Sequence, residues 1–202
     1  NKLLTENLRF NLGTIRFESG DNLGVEVSRG FEFLNEDFDI LGDSTVIVAP
    51  GKYVNWGYEL QASSASFRKV SGSIGYEAGG FWTGNIRRLV MGLTIRPALG
   101  INLSSGYTHA QVSAENSGFS TNLFQVDLGL DFTPDISLSS NIQFDDISDV
   151  LGTNTRFRWI ITPGTDIFFV YNHNWLSNPT LNRRLFTTQQ GAAMKAVYTY
   201  RF

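Results

Sequence analysis

The 202-residue sequence contains no cysteine, only two histidines and only five prolines. Without cysteine, neither a disulfide scaffold nor a thiolate metal site can form. Charge is scarce as well: charged residues make up 17%, and 16 Lys+Arg against 19 Asp+Glu leave a formal net charge of -3. With no basic excess, no nucleic acid partner is expected. No run of about 18 apolar residues occurs, which excludes a transmembrane helix. The opening residues, Asn1-Lys2-Leu3-Leu4 followed at once by Thr5-Glu6-Asn7, lack the apolar stretch of a signal peptide. The expectation is a sequence that starts after processing or inside a longer protein. Helical periodicity is nearly absent too.

Disorder is excluded by a hydrophobic share of 42% and an aromatic share of 13%. Alternation at period two recurs from end to end instead. Phe124, Val126, Leu128, Leu130 and Phe132 interleave with Gln125, Asp127, Gly129 and Asp131. Val54, Trp56, Tyr58 and Leu60 oppose Asn55, Gly57, Glu59 and Gln61. Val70, Ile74 and Tyr76 oppose Ser71, Ser73, Gly75 and Glu77, and Leu89, Met91, Leu93 and Ile95 oppose Arg88, Gly92, Thr94 and Arg96. The same phase holds for Ile136, Leu138, Ile142 and Phe144, and for Thr155, Phe157, Trp159 and Ile161. About eleven strands of roughly ten residues are expected, the length with which a tilted strand crosses a bilayer. The mean hydropathy of -0.11 is then an average over two faces.

Alternation alone also suits a sandwich or a lipocalin-like barrel with its apolar face inward. Two features favour a transmembrane barrel. The polar face is small and charged while the apolar face is aromatic, as a wet interior and a lipid-facing exterior require. The connections are also expected to alternate in length. Short links are read at Ser19-Gly20-Asp21, Ser66-Phe67-Arg68, Pro97-Ala98-Leu99, Thr133-Pro134-Asp135 and Thr162-Pro163-Gly164-Thr165. Longer ones are read at residues 35–52, 79–85, 114–120, 146–152 and 177–191.

The end of the chain sets Met194, Ala196, Tyr198, Tyr200 and Phe202 at alternate positions. This resembles the terminal signal read by the outer-membrane assembly machinery, with Tyr198, Tyr200 and Phe202 as its aromatic members. The fold class expected is therefore all-β, an antiparallel up-and-down transmembrane β-barrel of about 10–12 strands in one domain, 1–202. An odd count is awkward, because single-chain bacterial barrels have even numbers of strands. Either the count is off by one, giving ten or twelve strands, or the chain is the C-terminal part of a larger barrel, with a missing N-terminal barrel segment or a partner protein supplying the remainder. Residues 8–18 change apolar phase between Leu12 and Ile15, which predicts a bulge near Gly13.

The stretch Arg156-Phe157-Arg158-Trp159-Ile160-Ile161-Thr162-Pro163-Gly164-Thr165-Asp166-Ile167-Phe168-Phe169-Val170-Tyr171-Asn172 resembles the RWxxxPGxDxFxVYN signature of the DUF5916 family. Asp149-Val150-Leu151-Gly152-Thr153-Asn154 precedes it where that family has SDxLxxN. Phe31-Glu32-Phe33-Leu34 through Pro50-Gly51-Lys52-Tyr53 is similar to its FExLxxxFxI…xPGxY pattern. The resemblance implies an outer-membrane barrel in a double-membraned, Gram-negative bacterium. It also implies an N-terminal family-9-like carbohydrate-binding domain, which this sequence does not carry.

Catalytic chemistry has little to stand on. Tyr107-Thr108-His109 resembles the context of an outer-membrane phospholipase histidine, but Gln111 occupies the place of the serine. His109 and His173 are expected in an interfacial belt. Asp145, Asp146 and Asp149 bear hard oxygen ligands that suit calcium, or form a solvated acidic loop with Asp149 capping a turn. Gly79-Gly80 precedes no helix and is no phosphate loop. The loop 35–52 holds the apolar run Val46-Ile47-Val48-Ala49, which either folds over the barrel mouth, docks a partner or extends as a hairpin.

The large functional surface expected is the polar lumen, lined by Glu26, Glu59, Lys69, Glu77, Arg88, Arg96, Asp127, Asp131, Asp145, Arg156, Arg158, Lys195 and Arg201. A small barrel would fill its interior with such groups as a paired network, whereas a wide one would leave them wetted along a pore. The function expected is a porin-like transport channel, with a non-conducting anchor or scaffold as the alternative and no enzymatic activity. No cofactor and no metal are expected. The partners expected are outer-membrane lipid, lipopolysaccharide and the assembly machinery.

Overall fold

A computed structural model describes residues 4–42, 44–114, 118–178 and 184–199. Every regular element among them is a β-strand. In chain order these are β1 (Thr5–Arg16), β2 (Asn22–Leu34), β3 (Phe38–Asp39), β4 (Ile47–Val48), β5 (Gly51–Ser63), β6 (Val70–Phe81) and β7 (Gly84–Ile95). They continue with β8 (Ile101–Ser113), β9 (Gly118–Thr133), β10 (Ile136–Asp145), β11 (Val150–Thr162), β12 (Thr165–Asn178) and β13 (Arg184–Val197). An 11-stranded sheet has the order β1-β2-β5-β6-β7-β8-β9-β10-β11-β12-β13, so neighbours in sequence are neighbours in space. The pairs β1–β2, β2–β5, β5–β6 and those from β9 through β13 are antiparallel, and β3 and β4 form a separate antiparallel hairpin inserted between β2 and β5. The up-and-down all-β architecture read from alternation is what the chain adopts.

The polarity of the sheet is the reverse of a soluble protein's. Along β5, Val54, Trp56, Tyr58 and Leu60 are 48%, 49%, 61% and 49% exposed, while Asn55, Gly57 and Glu59 between them are half-buried. Ile74 and Tyr76 in β6, Met91 and Leu93 in β7, and Phe124 and Val126 in β9 are exposed likewise. Buried apolar side chains among the described residues are few: Val46, Val48, Ala65, Ile86, Ala110 and Val112. β1 and β13, at the two ends of the sheet order, are exposed along nearly their whole length.

By contact the chain divides into two compact units. One comprises Asn1–Ser66, Gly72–Met91 and Thr108–Thr121; the other comprises Phe67–Ser71, Gly92–Tyr107 and Asn122–Phe202. All six buried apolar residues belong to the first.

The bulge expected near Gly13 is present as a register shift between Asn11 and Gly13. Length alternation of the connections holds only in part: the β9–β10, β10–β11 and β11–β12 links have two, four and two residues, but the β6–β7 link breaks the pattern. Residues 79–85 were expected as a long loop, but β6 runs to Phe81 and β7 starts at Gly84, leaving a two-residue turn, Trp82-Thr83. Gly79 is a point of close strand approach rather than a loop residue. A Cβ built there would lie 2.4 Å from the Trp56 carbonyl oxygen and 2.7 Å from Gly57 Cα. Residues 146–152 contract to the four-residue link 146–149. Residues 184–191, expected as loop, pair with β12 as the first part of β13.

The turns hold themselves by local hydrogen bonds. Thr133 Oγ1 accepts from the amides of Asp135 (3.2 Å) and Ile136 (3.0 Å) at the β9–β10 turn. Before β8, Gly100 has φ 76, and a Cβ on it would meet the Asp131 carbonyl oxygen at 2.3 Å. Gly100→Ala combines left-handed strain with a backbone clash. It is expected to cost about 1–3 kcal/mol, read as a lower urea midpoint for the lipid-folded chain.

Candidate functional site

In the first unit the pairing register lines up a row of charge. Glu26 on β2 stands opposite Glu59 on β5, and Glu59 opposite Glu77 on β6. Three carboxylates directly opposed across neighbouring strands repel one another. Arginines close the two ends of the row. Arg9 Nη1 lies 3.9 Å from Glu26 Oε1, and Arg88 Nη1 donates to Glu77 Oε2 at 2.7 Å. The middle carboxylate accepts from Gln61 Nε2 at 2.5 Å. These pairs are partly exposed and screened, so each adds little stability. Their effect is on the field: three negative and two positive charges lead to a net negative row. Asn7, Asn22, Ser28 and Ser73 complete a polar cavity of about 500 Å³ around it.

At the end of this unit where β2 leaves the sheet and β5 enters it, Trp82 has φ 48 and its Nε1 donates to Glu32 Oε2 at 2.8 Å. The Phe38 ring lies 5.3 Å from it. Arg29 and Glu6 pair at 3.2 Å. The run 46–49 does not stand exposed as a whole. Val46 and Val48 are 2% and 3% exposed while Ile47 is 54% exposed, so the hairpin turns one edge inward.

In the second unit the expected lumen residues fall into separate clusters. Asp127 accepts from Asn141 Nδ2 (2.7 Å) and Gln125 Nε2 (2.9 Å). Lys69, Arg96 and Asp131 gather beside the β7–β8 turn around a cavity of about 460 Å³. Lys69 and Arg96 lie just outside their strands, in connections rather than on the sheet face, because β6 begins at Val70 and β7 ends at Ile95. Arg158 pairs with Asp166 at 3.4 Å and stands 5.5 Å over the Phe168 ring. Arg156 and Lys195 are exposed on β11 and β13. Arg201, Tyr200 and Phe202 lie outside the described residues, and Tyr198 is exposed beyond the end of β13.

The acidic loop spends its carboxylates on itself and on the neighbouring strand β9. Asp145 accepts from Ile147 N (2.9 Å) and Ser148 Oγ (3.1 Å), and Asp146 accepts from Asn122 N (2.6 Å) and Asn122 Nδ2 (2.5 Å). Asp149 has φ 52. That is the arrangement of a capped loop. His173 contacts Tyr171 Oη through Nδ1 (2.8 Å) and Thr187 Oγ1 through Nε2 (2.9 Å), and it stacks on Trp175 with ring centroids 3.7 Å apart. Both ring nitrogens face hydroxyls rather than a carboxylate that would orient a general base.

Two sets of residues escaped the sequence. Arg9 precedes the bulge, and the phase change there hid the face it shares with Glu26. The amide side chains of β10 to β13 were visible only as polar spacers. Asn141 and Gln143, and Asn172 and Asn174, recur at period two, which was the available signal.

No family model matches this chain, and no curated protein matches it. Among solved structures, a KdgM porin in complex with disordered oligogalacturonate is similar over 98% of this chain and 92% of that chain, at 13% sequence identity and a TM-score of 0.35.

Proposed function

We propose that this chain is an integral β-barrel protein of the bacterial outer membrane. In this reading it is porin-like, with its polar face lining a passive aqueous route and no catalytic activity. The observation that carries the reading is the inverted sheet: the apolar face is the more exposed one. Apolar area in contact with water costs about 25 cal/mol per Å², and an aromatic-rich face spread over many strands needs an apolar surrounding. Strands of 12 to 16 residues in the main sheet, apart from the ten of β10, exceed the 9–11 that a tilted strand needs to span a bilayer. Lipid also forbids unpaired backbone groups. The reading therefore requires the outer edges of β1 and β13, the first and last strands of the sheet order, to be paired. Lipopolysaccharide and lipid against the apolar face, and the assembly machinery at the C-terminal aromatics, follow as expected partners. Membership of the DUF5916 family rests on the motif around the Pro163-Gly164 turn and stays part of this proposal.

The test is single-channel recording of the refolded chain in planar bilayers, with folding checked by heat-modifiable migration. Openings are expected. Glu59→Gln removes the middle charge of the row and is expected to move the reversal potential in a salt gradient toward weaker cation preference. A folded chain that never opens would favour a second reading, a non-conducting barrel that scaffolds a partner. The ion pairs that bridge neighbouring strands, Arg88–Glu77 and Arg9–Glu26, are the observation on that side.

A further inference from the structure

The polar face of the second unit carries a grid of amides. Register places Asn141, Asn154 and Asn172 directly opposite one another across β10, β11 and β12, with Gly191 of β13 closing the row. Two residues along, the next row is Gln143, Gly152, Asn174 and Gln189. Neighbouring strands are about 4.8 Å apart and the two rows about 6.8 Å apart. Together they line a cavity of about 500 Å³.

The chemistry of this surface is unlike that of the charged row in the first unit. Asp127, beside it, has its two oxygens taken up by Asn141 and Gln125. Asn154 Nδ2 donates to Asn172 Oδ1. Gln143, Asn174 and Gln189 make no side-chain hydrogen bond to another described residue. Each free amide presents two donors and an acceptor within one planar group. Asp145 and His173 line the same cavity, but Asp145 is engaged by Ile147 N and Ser148 Oγ and His173 by the Tyr171 and Thr187 hydroxyls, so the groups left for a ligand are the neutral amides. A ligand that matches many amides at once donates and accepts at closely repeated points. Hydroxyl groups on linked sugar rings do this. Glycine matters to access at one end of the grid: a Cβ at Gly191 would meet nothing within 4 Å, which leaves open floor, whereas one at Gly152 would crowd the Asn174 side-chain oxygen at 3.1 Å.

We propose that this amide grid is a binding site for a neutral oligosaccharide. The inference rests on the polar face being reachable by solute, as the porin-like reading has it, but not on conduction. The site is a local concentration of weak, neutral contacts, suited to holding a sugar briefly rather than tightly.

The test is isothermal titration calorimetry on the detergent-folded chain with maltohexaose, cellohexaose, xylohexaose and mannohexaose. At least one is expected to bind. Gln143→Leu with Gln189→Leu is expected to weaken it about tenfold or more, the effect of one or two lost hydrogen bonds. Gly191→Leu, which fills the floor and keeps the amides, is expected to weaken it as well. Gln143→Asn should retain binding, and Glu59→Gln in the first unit should leave it unchanged. If the leucine pair does not show native heat-modifiable migration, Gln143→Ser with Gln189→Ser takes its place. Absence of binding for all four sugars overturns the proposal, as does unchanged affinity in these variants. Binding confined to an acidic or a cationic oligosaccharide overturns it too. Conductance without sugar binding overturns this inference and leaves the porin-like reading standing; sugar binding without conductance does the reverse.

Discussion

Tyr58→Arg is expected to remove about 2–4 kcal/mol of stability when the protein is folded into lipid vesicles, the cost of a cation near the bilayer midplane on a barrel's outer face. Tyr58 lies near the middle of β5 and is among the most exposed large side chains of that strand. Gln61→Arg, on the same strand but on the polar face, is the control. Gln61 already donates to Glu59, and Glu26 and Glu77 stand on either side of that carboxylate. A cation there relieves like-charge repulsion, so little change or a slight gain is expected. Urea midpoints followed by tryptophan fluorescence in vesicles measure both, with band shift on unheated gels as the check of folding. A soluble sandwich would also suffer from arginine on its apolar face, but it would fold without lipid. Native folding of the unmodified chain in plain buffer, or equal losses from Tyr58→Arg and Gln61→Arg, would remove the membrane reading.

The strands were legible because the sheet has two chemically distinct faces. Val54 to Leu60 and Phe124 to Phe132 alternate without a break, and both are strands. Boundaries failed where a residue type had two meanings. Gly79 and Gly80 read as loop, yet they are strand residues whose missing side chains let β5 come close. Thr187, Thr188, Gln189 and Gln190 have no apolar phase, so the first half of β13 was invisible until its pairing with β12 was known. The bulge at Gly13 could be read, because a phase change is itself a pattern. Lys69 and Arg96 read as strand-face residues but lie in connections just beyond β6 and β7, and alternation does not tell which charged residue meets which. The glutamate row and the amide grid depend on register between strands, and register depends on turn lengths that were misjudged in several connections. A shift of one residue would exchange the two faces of a strand. A shift of two would keep the faces and dissolve both rows.

Val46→Asp is expected to open the β3–β4 hairpin without unfolding the sheet. Val46 is nearly inaccessible, and a carboxylate in its place has no partner that the present contacts supply. Burying such a charge costs several kcal/mol. The hairpin can avoid that cost by detaching, because its fastenings are few and local. Ile40 N donates to the Val46 carbonyl (3.0 Å), and Tyr53 Oη donates to the Ala49 carbonyl (2.6 Å). The Asp39 carboxylate accepts from the amides of Leu41, Gly42 and Ser44 within its own loop. Among the described residues, the ring contact that ties it to the β6–β7 turn is Phe38 against Trp82. The loss is therefore limited to the free energy of local opening, which lies below that of global unfolding. Protease cleavage and amide exchange within residues 35–50 should rise sharply, and the global urea midpoint should change little. Ile47→Asp, at the exposed neighbouring position in β4, should leave all three unchanged. A fall of several kcal/mol in global stability with no added cleavage would mean that Val46 belongs to the folding core of its unit. The hairpin would then be a fixed part of the fold rather than a separately opening flap.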